Sequence, residues 1–167
     1  MTWSSSPNPT IWDRLLAALP YILPVMSGLP YGDQLVSQFP VFGFLLLPLA
    51  PLIFVYSMLQ SIPLIGSFFG LIVFFALILL VVRNENISRF IRFNTMQAIL
   101  LSFILAVCGL ILSLLDPSVF GSLLFSTLAN VLFLGMLISV GFSLVQTFRG
   151  LYAEIPTISE AVHMQVR

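Results

Sequence analysis

The stretch MQAILLSFILAVCGLILSLL, Met96 to Leu115, decides the fold of this chain. It contains no Asp, Glu, Lys or Arg. At 1.5 Å rise per residue a helix of this length is ~30 Å long, which matches the hydrocarbon thickness of a bilayer. The stretch therefore predicts a membrane-spanning α-helix.

The composition of the whole chain extends this prediction. Of the 167 residues, 59% are apolar and only 7% are charged, and the mean hydropathy is +1.12. These values are typical of integral membrane proteins, and the length predicts a single membrane domain. The apolar runs are continuous and do not alternate with polar residues, which favours helices over a closed barrel.

Four segments are long and apolar enough to span: about 42–59, 64–82, 96–115 and 120–148. The loops at 60–63 and 116–119 are short, so the sequence predicts an all-α membrane protein in which four helices form a transmembrane bundle of two antiparallel hairpins. Pro48 and Pro51 predict a kink in the first span.

The two ends of the chain are predicted to lie outside these four spans. Residues 11–40 include Pro20, Pro24, Gly28 and Pro30. Such frequent breaks are tolerated in hydrocarbon only where neighbouring protein satisfies the backbone, so a short interfacial or re-entrant helix is expected. Residues 149–167 are interpreted as a polar C-terminal tail.

The arginines support this count of spans. With four crossings all six lie on one side, and the loops of the opposite side contain no basic residue. The positive-inside rule then places both termini in the cytoplasm or its equivalent. A crossing by the N-terminal segment would move Arg14 to the far side and give five against one. The six are Arg14, Arg83, Arg89, Arg92, Arg149 and Arg167.

The chemistry of a catalytic or metal site is missing from the sequence. The single histidine, His163, lies in the polar tail, and the single cysteine, Cys108, lies in mid-membrane. A zinc site needs three or four ligands, and the serines of the spans have no base to face them. We therefore expect no enzyme, no metal and no cofactor, and the lack of a basic surface argues against nucleic acid.

Polar residues near and within the spans are the candidate functional residues. On a helix beginning near Arg83, the residues Ser88, Arg89 and Arg92 share a polar flank, whereas Asn94 falls on the apolar flank. We interpret Arg83, Arg89 and Arg92 as topology anchors on lipid phosphates. The candidates for a polar crevice or interhelical contacts are Asn94, Gln97 and Asn130, and those for close helix packing are Gly135, Ser139 and Ser143.

Three blocks of the sequence resemble the Tic-twenty family of the translocon at the inner envelope of chloroplasts, which has relatives in cyanobacteria. They are RLLAALPYILP (14–24), GLIVFFALILLVVRN (70–84) and, most specifically, ISRFIRFNTMQAILL (87–101). The resemblance implies a four-helix membrane subunit that has both termini on the stromal or cytoplasmic side and forms part of a protein-conducting path. Ser102 stands where the family pattern leads us to expect an acidic residue.

The N-terminal sequence resembles no transit peptide, so we expect a cyanobacterial or plastid-encoded protein, located in the plasma membrane or the plastid inner envelope. Three functions stay open at this point: a subunit of a protein translocation complex, a small-solute or ion channel or carrier, and a structural scaffold for membrane proteins. The expected partners are the lipid bilayer, other membrane subunits or further copies of the chain, and a translocating polypeptide.

Overall fold

The computed structural model describes residues 9–64, 66–114, 121–155 and 158–166. Within these ranges every regular element is helical and there is no strand, so the predicted all-α class is confirmed there. The α-helices are α1 Ile11–Ala18, α2 Ile22–Gly28, α3 Asp33–Gln38, α4 Val41–Leu46, α5 Ala50–Gln60, α6 Gly66–Ala76, α7 Arg89–Ser113, α8 Ser122–Arg149 and α9 Ile158–Gln165. Short 3₁₀ turns at Leu19–Tyr21, Leu29–Tyr31 and Leu47–Leu49 join neighbouring helices, and α6 continues into a π-helix at Leu77–Val82.

Three helical stretches of the described chain are long and apolar enough to cross a membrane: Val41–Gln60, Arg89–Ser113 and Ser122–Arg149. A shorter apolar helix covers Phe68–Val82. The four predicted spans thus each coincide with an apolar helix. The 3₁₀ turn around Pro48 interrupts the first of them, where Pro removes a backbone donor. The predicted loop at 116–119 lies outside the described residues.

Helix α7 is a single uninterrupted element that includes both the amphipathic entry and the span. It begins after Ser88, whose Oγ accepts a hydrogen bond from the backbone N of Ile91 at 3.4 Å. Helix α8 lies antiparallel to it, because Asn94 contacts Thr147 and Gln97 contacts Ser143. It ends at Gly150, which has the left-handed φ of 76° that glycine adopts at no steric cost.

The N-terminal segment runs beside α7 and is not a surface helix. Asp13 lies at Ser88, Tyr21 at Asn94, Ser27 at Ser102 and Tyr31 at Gly109. These contacts follow α7 over ~30 Å at 1.5 Å per residue. The segment therefore packs against α7 along this length, and its placement as an interfacial or re-entrant helix stays a prediction. Its side chains enter the core, where Tyr21, Leu23 and Val25 are buried.

The main hydrophobic core lies where the N-terminal segment, α7 and α8 meet. Tyr21 and Val25 pack there with Ala98 and Leu105 of α7 and with a set of α8 side chains that comprises Phe133, Met136 and Val140. Burial of each such side chain contributes roughly 1.5–3 kcal/mol to folding. By contrast, no residue in the most apolar window of Val41–Gln60 is buried, and Phe54 is 67% exposed.

The C-terminal residues dock onto the body of the protein, which differs from the predicted polar tail. Tyr152 packs edge-on against Phe90 and Phe93, with ring centroids 5.5 and 5.0 Å away. In α9, Val162 is buried in a second apolar cluster together with Phe93 and Ile99, and the ring of His163 lies 5.0 Å from that of Phe93. The apolar residues of this stretch are few, but those of α9 lie largely on one helical face.

Candidate functional site: a buried polar cluster between three helices

Five polar side chains meet in the interior between the N-terminal segment, α7 and α8. We call this set, formed by Tyr21, Asn94, Gln97, Ser143 and Thr147, the polar cluster. None of its members has any solvent exposure in this chain. A buried polar group without a partner is destabilising, so the hydrogen bonds of this set decide whether the three elements can pack together.

The side-chain amide of Asn94 is the hub of the polar cluster. Its Oδ1 accepts hydrogen bonds from Tyr21 Oη at 3.1 Å and from Thr147 Oγ1 at 2.8 Å. Its Nδ2 donates to the carbonyl of Phe90 at 2.9 Å, one turn back on α7. The Thr147 hydroxyl also lies 2.7 Å from the carbonyl of Ser143, so its proton is shared between two acceptors. One amide thereby ties together all three elements.

Gln97 makes a second, incomplete link between α7 and α8. Its Nε2 donates to Ser143 Oγ at 3.0 Å, whereas its Oε1 is buried without a protein partner. Asn94 and Gln97 are three residues apart on α7, and Ser143 and Thr147 are four apart on α8, so each pair shares one helical face. The described cluster contains no charged side chain. Its chemistry is that of interhelical contact rather than of proton transfer.

Local sequence places Tyr21 at the cluster. Pro20 fixes its own φ and lacks an N–H, which favours the 3₁₀ turn at Leu19–Tyr21 between α1 and α2. The turn directs the tyrosine ring toward α7. A related contact lies further along the segment, where the hydroxyls of Ser27 and Ser102 are 2.8 Å apart. Ser102, which stands where an acidic residue was expected, thus serves as a neutral interhelical partner.

Asn130 does not join the polar cluster, so the three amides predicted to line a polar crevice or to make interhelical contacts do not meet at one place. It lies thirteen residues before Ser143 on α8, which corresponds to ~20 Å along the helix. Its Oδ1 is buried without a hydrogen-bond partner in this chain. Because Asn94 and Gln97 are fully buried and mostly satisfied, they line no open path in this structure.

The three anchor arginines have different environments. Arg83 is exposed and Arg89 is partly exposed, so their contact with lipid phosphates stays a prediction. Arg92 is only 9% exposed, and its Nε donates to the carbonyl of Val82 at 2.8 Å. Most of the Arg92 side chain is therefore covered by protein, and its contact with lipid phosphates also stays a prediction. Its guanidinium satisfies a carbonyl at the C-terminal end of the π-helix, which would otherwise lack a partner.

The small-residue face predicted on α8 packs in only one place. Ser143 is buried against Gln97, but Ser139 is partly exposed. A Cβ built on Gly135 would meet no atom within 4 Å. Close approach of a second backbone at Gly135 is therefore not seen in this chain. Side chains of α8 instead approach the N-terminal segment closely at Gly28 and Gly32, where Met136 and Phe133 lie.

The first turn of α1 is joined to the beginning of α7 and the end of α8. Thr10 and Asp13 form a capping box, and Asp13 Oδ1 lies 3.5 Å from Ser88 Oγ. Arg14 Nη1 donates to the carbonyl of Phe148 at 3.0 Å. The hydrogen bond from the Thr10 hydroxyl is the main reason why the pKa of Asp13 lies below its usual value; a bond from the Thr10 backbone adds to this, and the Ser88 hydroxyl contributes less.

Sequence reasoning missed Tyr21, Thr147 and Ser27 as partners in these contacts. Thr147 lies one turn beyond Ser143 on the same face, which is a usable signal. Tyr21 lies 73 residues before Asn94, and its partner could not be found by spacing. Among the residues that the structure describes, no group of three or more His, Cys, Asp or Glu side chains could hold a metal ion.

Comparison with known proteins finds one and the same family at each match. The family described as "Chloroplast import apparatus Tic20-like" matches residues 3–162. A Tic20 family protein of Synechocystis sp. is 45% identical over 156 residues, which covers 93% of this chain and 93% of the relative. Protein TIC 20-v, chloroplastic, of Arabidopsis thaliana is 35% identical over 92% of this chain and 71% of its own length. The Tic20 family protein Ycf60 of Porphyra purpurea is 33% identical over 92% and 75%, respectively.

Proposed function

Because this chain belongs to the Tic20 (Tic-twenty) family, we propose that it is a membrane subunit of a protein translocation complex. The family match over residues 3–162 is the observation that carries the proposal. Family membership also confirms that the chain is a multi-pass membrane protein and that it is not an enzyme.

The interior of this chain favours action together with neighbouring subunits. A translocating polypeptide needs polar walls, but the polar cluster is closed and fully buried. The helical stretch Val41–Gln60 is apolar, and none of its most apolar window is buried. We infer that any conducting path lies between chains, with this apolar surface facing lipid or a neighbouring subunit.

The N-terminal segment is proposed to cross the membrane. It accompanies α7 from Ser88 to Gly109, a length of ~30 Å that equals the hydrocarbon thickness. Asp13 lies at Ser88 and Val82 lies at Arg92, so both ends of the stretch 13–82 are at the same end of α7. The chain between them therefore crosses an even number of times. The helix from Gly66 to Val82 is the proposed return pass.

This arrangement retains four crossings and keeps the arginines together. The bond from Arg14 to Phe148 supports the placement of Arg14 beside Arg149 rather than on the far side. The positive-inside rule then favours both termini in the cytoplasm or stroma, in a cyanobacterial plasma membrane or a plastid inner envelope. The N-terminal segment replaces Val41–Gln60 as a crossing helix, and Val41–Gln60 begins and ends on the far side. The predicted pairing of the four spans into two hairpins therefore changes.

Site-specific crosslinking tests the proposed function. In a Cys108→Ala background, a single cysteine replaces Phe54 on the exposed helix, and a second variant carries Ile138→Cys on the exposed side of α8. The matched control is Ile99→Cys, because Ile99 is 2% exposed. We expect the cysteine at position 54 to crosslink to other membrane subunits and to a precursor protein stalled during import, and the one at position 99 to give neither product.

The alternatives predict different products. A structural scaffold gives crosslinks to other subunits from both exposed positions and none to the precursor. A small-solute channel or carrier lined by Asn94, Gln97 and Asn130 gives flux in liposomes of the pure protein, and Asn130→Leu reduces that flux. The separation of Asn130 from the polar cluster argues against the latter function. Absence of precursor crosslinks from every exposed position would contradict the proposed function.

A further inference from the structure

A cavity of about 480 Å³ lies between α1, the π-helix and the first turns of α7. Its apolar wall includes Leu16, Ile22, Val73, Leu77 and Ile91. Leu16 and Leu19 at its edge are about half exposed, so the cavity opens sideways as well as toward the arginine end of the bundle. At the ~30 Å³ that a water molecule or a methylene group occupies, this volume suits one acyl chain.

The deep part of this interhelical cavity contains an unpaired hydroxyl. Thr95 lines the cavity and has no solvent exposure, and its Oγ1 has no hydrogen-bond partner in the protein. The helical threonines Thr127 and Thr147 instead donate to the carbonyl four residues back, at 2.8 and 2.7 Å. Burying a hydroxyl without a partner is unfavourable. Because no water-sized probe touches Thr95 in this structure, a ligand with a polar atom at this depth would satisfy the hydroxyl after a small shift of the covering side chains.

The mouth of the cavity is polar and contains an acidic group. Asp13, Asn86 and Ser88 lie there, and Asp13 is the one charged side chain among the described lining residues. Asp13 Oδ2 accepts two bonds from Thr10, but its Oδ1 has only the long 3.5 Å contact with Ser88. Arg14 is engaged with the carbonyls of Pro9 and Phe148. Neither Arg83 nor Arg89, whose predicted contact is with lipid phosphates, is among the lining residues. At the mouth itself a carboxylate, an amide and a hydroxyl suit a headgroup that donates hydrogen bonds and disfavour an anionic one.

We propose that the interhelical cavity binds one diacyl lipid with an uncharged, hydroxyl-bearing headgroup. The headgroup hydroxyls bond to Asp13, Asn86 and Ser88, and one acyl chain lies along Leu77 and Ile91. Thr95 is seven residues beyond Ser88 on α7, ~10 Å deeper. That distance places its hydroxyl below the headgroup, where an ester carbonyl of the lipid accepts a hydrogen bond. The π-helix forms one wall, as such helices often do at binding sites.

A second apolar cavity, of about 330 Å³, lacks the polar groups that line the interhelical cavity. Its lining includes Pro51, Val55 and Leu59, and Ile22 separates the two. The described lining of this second cavity has a tyrosine as its single polar side chain, and nothing there selects a headgroup. The acidic mouth and the unpaired Thr95 distinguish the interhelical cavity.

Native mass spectrometry of the full-length chain in detergent micelles tests the proposal. The probes are dioleoylglycerol carrying one glucose, and dioleoylphosphatidylglycerol, which has the same acyl chains and an anionic headgroup. We expect wild-type protein to retain one molecule of the glucosyl lipid in preference to the anionic lipid. Thr95→Val should weaken the glucosyl lipid about fivefold to tenfold, as the loss of one hydrogen bond does. Thr127→Val, on the exposed side of α8, is the matched control.

The stability of Thr95→Val and the behaviour of two further variants separate lipid binding from folding. Thr95→Val removes an unpaired hydroxyl, so its lipid-free thermal stability should equal or exceed that of wild type while its lipid affinity falls. Leu77→Trp fills the cavity and should abolish retention of the glucosyl lipid. Asp13→Asn should remove the discrimination against phosphatidylglycerol. The proposal is overturned if Thr95→Val and Leu77→Trp bind the glucosyl lipid like wild type, if the anionic lipid binds more tightly to wild type, or if only a peptide or second copy occupies this cavity.

Discussion

Asn94 shows how one residue can join three helices inside an apolar bundle. Its carbonyl oxygen receives two hydroxyls from different elements, and its amide donates to its own helix. In a low-dielectric interior each bond is stronger than in water, and each lost partner leaves a group unsatisfied. The side chain is therefore expected to determine the register between α7, α8 and the N-terminal segment.

Substitution of Asn94, which takes part in three hydrogen bonds, should destabilise the fold more than substitution of Thr147, one of its partners. Thr147→Val keeps the shape and deletes one donor, and we expect a loss of about 1 kcal/mol. Asn94→Ala leaves the buried Tyr21 hydroxyl without its acceptor and should cost about 1–3 kcal/mol. Thermal unfolding in detergent measures both. Thr127→Val is the control, since its hydroxyl is exposed and bonds only to its own helix; equal losses in all three variants would contradict this role.

The capping carboxylate predicts a pH effect at the start of α1. Because the pKa of Asp13 is lower in the folded chain than in the unfolded one, its stabilising contribution is complete above about pH 4. The contribution is lost as the pH falls through the lower, folded-state pKa. Fluorescence of the neighbouring Trp12, in a Trp3→Phe background, should report a loosening of α1 in this acidic window. Asp13→Asn should abolish that transition, and an unchanged transition in the variant would assign it to another group.

At the scale of elements, the N-terminal segment uses the tripeptide Leu-Pro-Tyr twice. Both copies, Leu19–Tyr21 and Leu29–Tyr31, form 3₁₀ turns, and each tyrosine reaches α7, at Asn94 and at Gly109. The prolines break the helical hydrogen bonding at places where packing against α7 and α8 compensates. The breaks that made the segment look unfit for the membrane are thus compatible with a buried position.

Glycines at the close approaches of this segment should resist substitution. A Cβ on Gly32 would overlap the ring of Phe133, and one on Gly109 would overlap the hydroxyl of Tyr31. We expect Gly32→Ala and Gly109→Ala each to lower the free energy of unfolding by about 1–3 kcal/mol, the usual cost of overpacking. Gly135→Ala is the matched control, because nothing lies within 4 Å of its Cβ and alanine favours a helix. Urea or thermal unfolding in detergent would show the contrast, and similar effects at all three glycines would refute it.

Much of the architecture could be predicted from the sequence, for a simple physical reason. Continuous charge-free runs locate apolar helices directly, and the block around Asn94 carried the family resemblance. The sequence did not reveal which polar residues meet, because Tyr21 and Thr147 are brought to Asn94 by packing over 73 and 53 residues. It also did not reveal that Arg92 is largely covered, since a helical wheel shows which residues share a face but not what covers that face.

At the scale of the whole molecule, membrane topology is the sharpest test of the arrangement. Single cysteines at Ser4 and Gly32, in the Cys108→Ala background, should react with a membrane-impermeant maleimide from opposite faces. A cysteine at Ser61 should react from the same face as one at Gly32, and one at Ser88 from the face of Ser4. Labelling of positions 4 and 32 from the same face would show that the N-terminal segment does not cross.

The π-helix at Leu77–Val82 has a consequence for how relatives of this chain are aligned. Each of its turns closes with one residue more than an α-helical turn. Removal of a single residue there would restore regular α-helix and rotate Gly66–Ala76 by about 100° relative to α7. Within the family, a one-residue gap inside the GLIVFFALILLVVRN block, at the positions of the π-helix, would therefore mark a change in which face of that helix looks toward the bundle, and sequence identity alone would not reveal it.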